Sequence, residues 1–347
     1  VLLGRLLERI DREGPLAWSS YVDTVLYDEE HGFYAVRGRA GRRGDFLTSP
    51  EVGPLFGAVV ARLLDEEWVR LGRPDRFTVV EGGAGPGTLA RSVLAAAPAC
   101  GVALRYVAVE RSAAQRTSHP EQVRSVGEWP AEPVGPGVVL ANELLDNLPF
   151  DLVEARGGAW WEVRVGRSGS ELAEVLVPLA DGSTPIPPPP SRDGVRLPVQ
   201  RAARAWVEQA RRTVGPGRVV VIDYAATAEE LMGLPPEAWL RTYRHHDPGA
   251  SPLAQPGAHD VTVPVVIDQL PAADEHTTQH AFLLRHGIDA LVDEGRRIWA
   301  ERAALGDLAA LRARSRVREA EALLEPDGLG GFTVLQWTCH TSDPAAH

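Results

Sequence analysis

The chain has 347 residues, 44% of them hydrophobic, which suffices for one large domain or two smaller ones. A net charge of -11, with all 36 basic residues arginine, argues against a protein that grips a nucleic-acid backbone, because phosphate contacts need clustered cations. Cys100 and Cys339 make neither a disulfide framework nor a zinc motif, and no apolar run approaches the roughly 20 residues that span a bilayer, so the expectation is a cytoplasmic protein without membrane contact.

The N-terminal stretch VLLGRLLERIDREG is broken by Arg5, Glu8, Arg9 and Asp11 and reads as a short amphipathic helix, not a signal peptide. Residues 15–30 carry helical spacing at Trp18, Tyr21, Val22, Val25 and Leu26, with Pro15 suited to the first turn. A Gly- and Arg-rich loop (38–53) follows, then a strong amphipathic helix over 55–72 that stops at Gly72. From there strands and helices alternate. FTVVE (77–81), LRYVAVE (104–110), a weak segment near 123–126, GVVLAN (137–142) and GRVVVIDYA (217–225) read as strands. TLARSVLAAAP (88–98) and VQRAARAWVEQARRTV (199–214) read as helices. DLVEARGGAWWEVRVG reads as a hairpin turning at Gly157-Gly158, and the proline-rich 181–198 as a linker or surface loop. Residues 226–260 form a long connection, DVTVPVVID (260–268) a strand interrupted by Pro264, 277–324 a helical region and GFTVLQWT (331–338) a closing strand. This alternation predicts an α/β fold, a largely parallel sheet covered on both faces.

VVEGGAGPGTLA (79–90) stands where such a sheet binds a cofactor. A strand ends at Glu81, Gly83, Gly85 and Gly87 allow a tight turn and close ligand approach, and a helix then begins whose free N–H groups suit an anion. Glu110, at the end of the next strand, is placed to hold ribose hydroxyls. The spacing Gly-x-Gly-x-Gly differs from the dinucleotide fingerprint, and Glu81 would repel a pyrophosphate. Both features favour S-adenosyl-L-methionine (SAM), whose ammonium and sulfonium a carboxylate stabilises, over NAD.

ANELLDNLP (141–149) holds the only two asparagines of the chain, Asn142 and Asn147, interleaved with Glu143 and Asp146. It begins at a strand end next to the glycine loop in such a sheet, facing the reactive end of the cofactor. Asn142 can offer a carbonyl and an amide, while Glu143 and Asp146 can receive a cationic acceptor. The plainer alternative is a helix-capping turn.

The blocks GDFLTSPEVGPLFG (44–57), VEGGAGPGTLA (80–90), YVAVERS (106–112) with Gln115, ANELLDNLPF (141–150), VIDYA (221–225), LRTYRHH (240–246), PGAHDVT (256–262), FLLRHGI (282–288) and GGFTVL together resemble the MidA-type class I methyltransferases. That family includes a mitochondrial complex I assembly factor that methylates protein arginine. The resemblance covers nearly the whole chain. It departs at Asp223-Tyr224-Ala225, where the family has Asp-Tyr-Gly, and at Asn147, where it has alanine.

The resemblance implies a Rossmann-like core with a mostly parallel seven-stranded sheet, an N-terminal helical extension over residues 1–72, and a core over 73–347 with insertions near 150–198 and 226–330. It implies SAM as cofactor, S-adenosyl-L-homocysteine as product, and a protein or small-molecule methyl acceptor, with a homodimer allowed. Cofactor contacts are expected from Glu81, Gly83, Gly85, Gly87, Glu110, Asn142, Thr48 and Pro50. Glu143 is the first choice for orienting the acceptor and Asp146 the second, with Asn142 beside them. Asp45, Glu51, Tyr243, His259 and Asp260 are expected on the substrate side. No metal site is expected, since the spacing of His245, His246, His259 and Asp260 fits no metal motif. The rival readings are a small-molecule O- or N-methyltransferase, a SAM-binding assembly factor without turnover and, disfavoured by the loop spacing, a nucleotide-dependent oxidoreductase.

Overall fold

The computed structural model describes residues 1–36, 48–179, 186–244, 247–248, 251–305 and 307–340. The chain starts with helices α1 (Leu2–Glu13), α2 (Trp18–Tyr27) and α3 (Phe33–Val36), followed by α4 (Ser49–Val52) and α5 (Pro54–Arg70). The alternating part runs through β1 (Phe77–Gly82), α6 (Thr88–Ala95), β2 (Leu104–Val109), β3 (Arg124–Val126) and β4 (Gly137–Asn142). Four strands follow: β5 (Asp151–Arg156), β6 (Ala159–Ser168), β7 (Glu171–Pro178) and β8 (Arg196–Val199). The chain continues with α7 (Arg201–Thr213), β9 (Gly217–Asp223), α8 (Ala228–Gly233), β10 (Arg241–Arg244) and β11 (Asp260–Thr262). It closes with β12 (Glu275–Thr278), α9 (Gln279–Arg285), α10 (Ile288–Arg302), α11 (Leu308–Leu324) and β13 (Thr333–Cys339).

The main sheet has seven strands in the order β12-β13-β9-β4-β1-β2-β3. β9, β4, β1, β2 and β3 pair in parallel, whereas β13 runs antiparallel to both its neighbours. Alternate residues of β1, β2, β4, β9 and β13 enter two different cores. Val79, Tyr106, Leu140 and Ile222 pack against α5, α6, α9 and α11. Val80, Val107, Val139, Val221 and Trp337 pack against α7. Burial on both faces explains why these strands read as unbroken apolar runs. Chain order along the sheet reverses between β1 and β4, so their carboxyl ends border a crevice.

A third core lies apart from that sheet. Leu2, Leu6 and Ile10, spaced four apart on α1, and Trp18, Tyr21 and Val22 of α2 pack on Leu152, Val163 and Leu197 of the second sheet and on Val261 and Val263. In that sheet β6 pairs with β5, β7 and the Leu16–Ala17 bridge, and β5 pairs with β8. Residues 1–36 therefore bury their apolar stripe against chain far away in sequence.

Several expectations are corrected. The helix expected over 15–30 starts at Trp18, because Leu16 and Ala17 pair with β6. Strand β8 (Arg196–Val199) takes the last residues of the expected linker 181–198 and Val199, the first residue of the expected helix, which starts instead at Arg201. The helical region 277–324 is interrupted at Gly287, whose φ is 79°, and again after Arg302, and its first residues belong to β12, where Thr277 and Thr278 pair with β13. Pro264 separates β11 from a short bridge at Val265–Val266, as its missing N–H requires. The Gly157-Gly158 turn joins β5 to β6 with both φ values positive, which a tight hairpin needs.

Candidate active site

A cavity of about 290 Å³ opens over the ends of β1, β2 and β4. Its floor is the glycine loop, which turns through positive φ at Gly83, Gly85 and Gly87. At Gly83 the φ of 63° disfavours any side chain, and a Cβ would also stand 2.8 Å from the end of the Leu144 side chain, which would have to shift. The Gly85 N–H donates to Glu110 Oε2 at 3.0 Å, and the Ser112 N–H donates to Glu110 Oε1 at 2.7 Å. One carboxylate thus ties the loop to the end of β2. Burial pushes Glu110 upward, against the pull of those two N–H groups.

Glu81 accepts a hydrogen bond from the Tyr106 hydroxyl at 2.8 Å. Burial raises it to about 8, the Tyr106 bond acting against and Glu110 adding repulsion. Glu143 follows β4 with φ at 52°, a left-handed conformation unusual for a non-glycine residue. Its Oε1 accepts from the Ser49 N–H at 3.0 Å and from Asn142 Nδ2 at 2.9 Å. Burial raises Glu143 to about 8, with the Ser49 N–H opposing and Asp146 reinforcing.

The wall above is α4. Glu51 accepts from the Thr88 hydroxyl at 2.7 Å, and the Ser49 hydroxyl donates to Gln279 Oε1 at 2.9 Å. Thr48 stands at the N-cap position of α4 without a side-chain cap bond. The side wall is aromatic. Tyr27 and Tyr34 stack with ring centres 5.4 Å apart, and the Arg111 guanidinium lies 4.3 Å over the Tyr27 ring. The Tyr27 hydroxyl donates to the Asn147 carbonyl at 3.1 Å. At the other end Trp129 and Trp206 meet edge to face.

Of the residues singled out from sequence, Thr48, Pro50, Glu51, Glu81, Gly83, Gly85, Glu110, Asn142 and Glu143 line this cavity. Gly87, Asp146, His259 and Asp260 do not line it. Asp146 lies behind the wall, where Thr262 Oγ1 donates to its Oδ2 at 2.8 Å. Burial raises it to about 6. Asp260 is also behind, accepting from Asn147 Nδ2 at 3.2 Å, and burial with Asp146 alongside raises it to about 7. Asp146, expected beside the acceptor, is therefore turned to the core, while Asn147, for which no site role was expected, borders the cavity with its amide held by Asp260. Asp45, His245 and His246 lie outside the described residues, as does the side chain of Tyr243. Tyr27, Tyr34, Trp129 and Trp206 were not singled out as site residues. Trp206 left a trace in the sequence as the one aromatic residue of α7, between Ala205 and Val207.

Among the described residues no arginine pairs with Glu81, Glu143, Asp146, Asp223 or Asp260, and no group of three or more possible ligands could hold a metal ion. Asn142 Oδ1 is buried with no donor. A cavity with uncompensated carboxylates and an orphaned carbonyl oxygen fits a ligand that brings positive charge and N–H groups.

Residues 59–284 match the family model described as "Putative S-adenosyl-L-methionine-dependent methyltransferase". The chain belongs to this family. Its fold is shared at TM-score 0.81 and 27% identity with a crystal structure from Burkholderia thailandensis bound to S-adenosyl-homocysteine, over 97% of this chain and 91% of that one. The mitochondrial protein arginine methyltransferase NDUFAF7 of Mus musculus is 26% identical over 99% of this chain and 89% of its own. The homologue of that enzyme in Drosophila melanogaster is 28% identical over 76% of this chain and 68% of its own. The chain is thus a SAM-dependent methyltransferase with a Rossmann-like core. The cytoplasmic expectation is corrected by these relatives, which are mitochondrial. Two free, buried cysteines do not distinguish one reducing compartment from another.

Proposed function

We propose that this methyltransferase transfers the methyl group to a guanidinium nitrogen of protein arginine. The observation that carries this is the carboxylate set at the β4 end: Glu143 on the cavity wall, with Asp146, Asp223 and Asp260 behind it, none paired with an arginine among the described residues. Such a set is costly to bury alone, and it is offset by an incoming cation. The Tyr27 ring, stacked on Tyr34, already carries the Arg111 guanidinium 4.3 Å over it, so this wall bounds the acceptor side and the carboxylates are left to receive the incoming cation. The activity of the named relatives supports the same acceptor, and the net charge of -11 favours an arginine-bearing protein over a nucleic acid.

SAM, when bound, supplies a methyl group on a sulfonium. We assign Glu81 to its ammonium, Glu110 to its ribose hydroxyls, and the end lined by Trp129, Leu144 and Trp206 to its adenine. Arginine is a poor nucleophile because its guanidinium stays charged. Glu143 has one oxygen engaged by Ser49 and Asn142, and no donor among the described residues reaches its Oε2. A bound guanidinium favours the ionised form of Glu143, whose free oxygen accepts one N–H and turns another nitrogen toward the methyl group; as the C–N bond forms and the C–S bond to the sulfonium breaks, the proton lost from that nitrogen passes to the Glu143 carboxylate.

The test is to incubate the protein with radiolabelled SAM and a lysate of its source, then separate labelled protein from labelled small molecules. Label in acid-stable methylarginine is the expected result. Label confined to the small-molecule fraction would replace the acceptor, and no label at all would point to a binding role without turnover.

A further inference from the structure

The turn that carries Glu143 does not hold its shape by itself. Glu143 sits in the left-handed region, where a side chain is disfavoured, and residues 144–146 begin a single turn of 3-10 helix without a cap from their own segment. The N–H groups that a local cap would satisfy are taken instead by Asp223, the last residue of β9. Its Oδ2 accepts from the N–H groups of Leu144 at 3.2 Å, Leu145 at 2.9 Å and Asp146 at 3.4 Å. Its Oδ1 accepts from the Tyr224 N–H at 3.0 Å, which fixes the carboxylate plane. The Glu143 N–H reaches the same strand, donating to the Ile222 carbonyl at 2.8 Å. Asp223 is 2% exposed and does not line the cavity, so it has no access to a ligand.

We propose that Asp223 is a positioning residue for methyl transfer: from the neighbouring strand it caps the 144–146 turn and so holds Glu143 in the one conformation that aims its carboxylate into the cavity. This rests on the assignment of Glu143 to the acceptor. The parallel register places Ile222 opposite Asn142, so the next residue of β9 falls beside the turn, within reach of its N–H groups. A carboxylate suits the task because each oxygen can accept more than one N–H. The Asp146 side chain shares the arrangement. Thr262 donates to it and bonds in turn to the Tyr224 hydroxyl at 2.7 Å, so the residue after Asp223 steadies the far end of the same turn.

The experiment compares Asp223→Asn, Asp223→Ala, Glu143→Gln and the double variant Asp223→Asn/Glu143→Gln on an arginine acceptor shown to be methylated by the native protein. Calorimetry with S-adenosyl-L-homocysteine and the melting temperature of each variant accompany the kinetics. Asn keeps one acceptor oxygen for the turn but sets an amide against the Tyr224 N–H, whereas Ala leaves four donors unpaired, the N–H groups of Leu144, Leu145, Asp146 and Tyr224. For a reacting group displaced by about an ångström, kcat falls about 100-fold in Asp223→Ala, with KM little changed and partial recovery in Asp223→Asn. If Asp223 acts through Glu143, the double variant turns over no more slowly than Glu143→Gln alone, a non-additivity that general destabilisation does not produce. Should Asp223→Ala fail to fold, the Asn variant and the double variant carry the test. Normal turnover in Asp223→Asn, or additive losses in the double variant, would overturn the positioning role while leaving Glu143 in place. Normal turnover in Glu143→Gln would overturn the Glu143 assignment, and this role with it.

Discussion

The glycine loop at the end of β1 and the Asn-Glu turn at the end of β4 face each other across one cavity, yet they are built differently. The loop gets its shape from its own sequence: Gly83, Gly85 and Gly87 take positive φ, and glycine does so at little steric cost. The turn adopts a comparable kink at Glu143, where a side chain opposes it, and relies on partners from elsewhere in the chain: Asp223, Ile222, Ser49 and Thr262. The first segment can be read locally. The second is imposed by tertiary structure, and strain of that kind concentrates where a group must be aimed.

The sharpest way to break the comparison acts on the loop. Gly85→Val is expected to abolish binding of S-adenosyl-L-homocysteine in calorimetry while leaving a cooperative melting transition. A β-branched residue is strained at φ 53°, and its Cβ would stand 3.3 Å from Gln115 Oε1 on the cavity side. Retained binding would show that the loop is not the cofactor floor. On the opposite wall Glu143→Gln is expected to lower kcat by roughly 10²- to 10³-fold, the range for losing one preorganised electrostatic contact, with cofactor affinity changed much less. Glu110→Ala should show the reverse, weakened cofactor binding as the primary defect, since it removes the carboxylate that holds Gly85. If both variants lose cofactor affinity equally, the division of labour between the two walls is wrong.

A smaller effect comes from pH. Glu81 and Glu143 are raised to about 8 and Asp260 to about 7, chiefly by burial. In the unfolded chain these groups titrate near pH 4. Between roughly pH 4.5 and 8 the native protein therefore keeps protons that the unfolded chain has released, and stability falls as pH rises, by about 1.4 kcal/mol per pH unit for each proton so held. The ligand-free protein is expected to melt at a lower temperature at pH 8 than at pH 6. Saturating S-adenosyl-L-homocysteine should lessen the difference, because a bound ammonium favours the ionised form of Glu81. A melting temperature that rises with pH over this range would mean that these carboxylates are compensated in the folded protein.

The same contrast separates what was legible in the sequence from what was not. The seven-stranded sheet was legible because residues such as Val79, Val80, Val138 and Val139 are buried on both faces, which leaves apolar runs. The cofactor loop was legible because its conformation demands glycine. The orientation of Asp146 and Asn147 was not, since a turn of irregular geometry has no period from which a facing direction follows. The aromatic wall was hidden for another reason. Tyr27 and Tyr34 sit at the end of α2 and in the short α3, and they reach the site because α1 and α2 pack on β5, β6 and β8, a contact between segments more than 100 residues apart. The helical region 277–324 misled in the opposite way: its residues are helix formers, but Gly287 and the pairing of Thr277 and Thr278 with β13 divide it.

The smallest expected effect bears most directly on how the turn is held. Glu143→Gly removes the side chain and supplies the residue that favours φ 52°. Relief of the strained conformation is worth on the order of 1–3 kcal/mol. Against it stand the bonds from the Ser49 N–H and Asn142 Nδ2, at about 0.5–1.5 kcal/mol each. The extra freedom of glycine in the unfolded chain costs about 0.5–1 kcal/mol more. Removing a buried carboxylate beside Asp146 and Asp223 offsets part of those losses. The terms nearly cancel, so stability in denaturant should change by no more than about 1 kcal/mol in either direction, although the variant loses methyl transfer. A loss well beyond that would mean that the Glu143 side chain holds the turn, instead of being carried by it. A near-neutral result joined to lost turnover would mark Glu143 as a residue kept for what it does at the cavity, and would leave the shape of the turn to Asp223 and the strands around it.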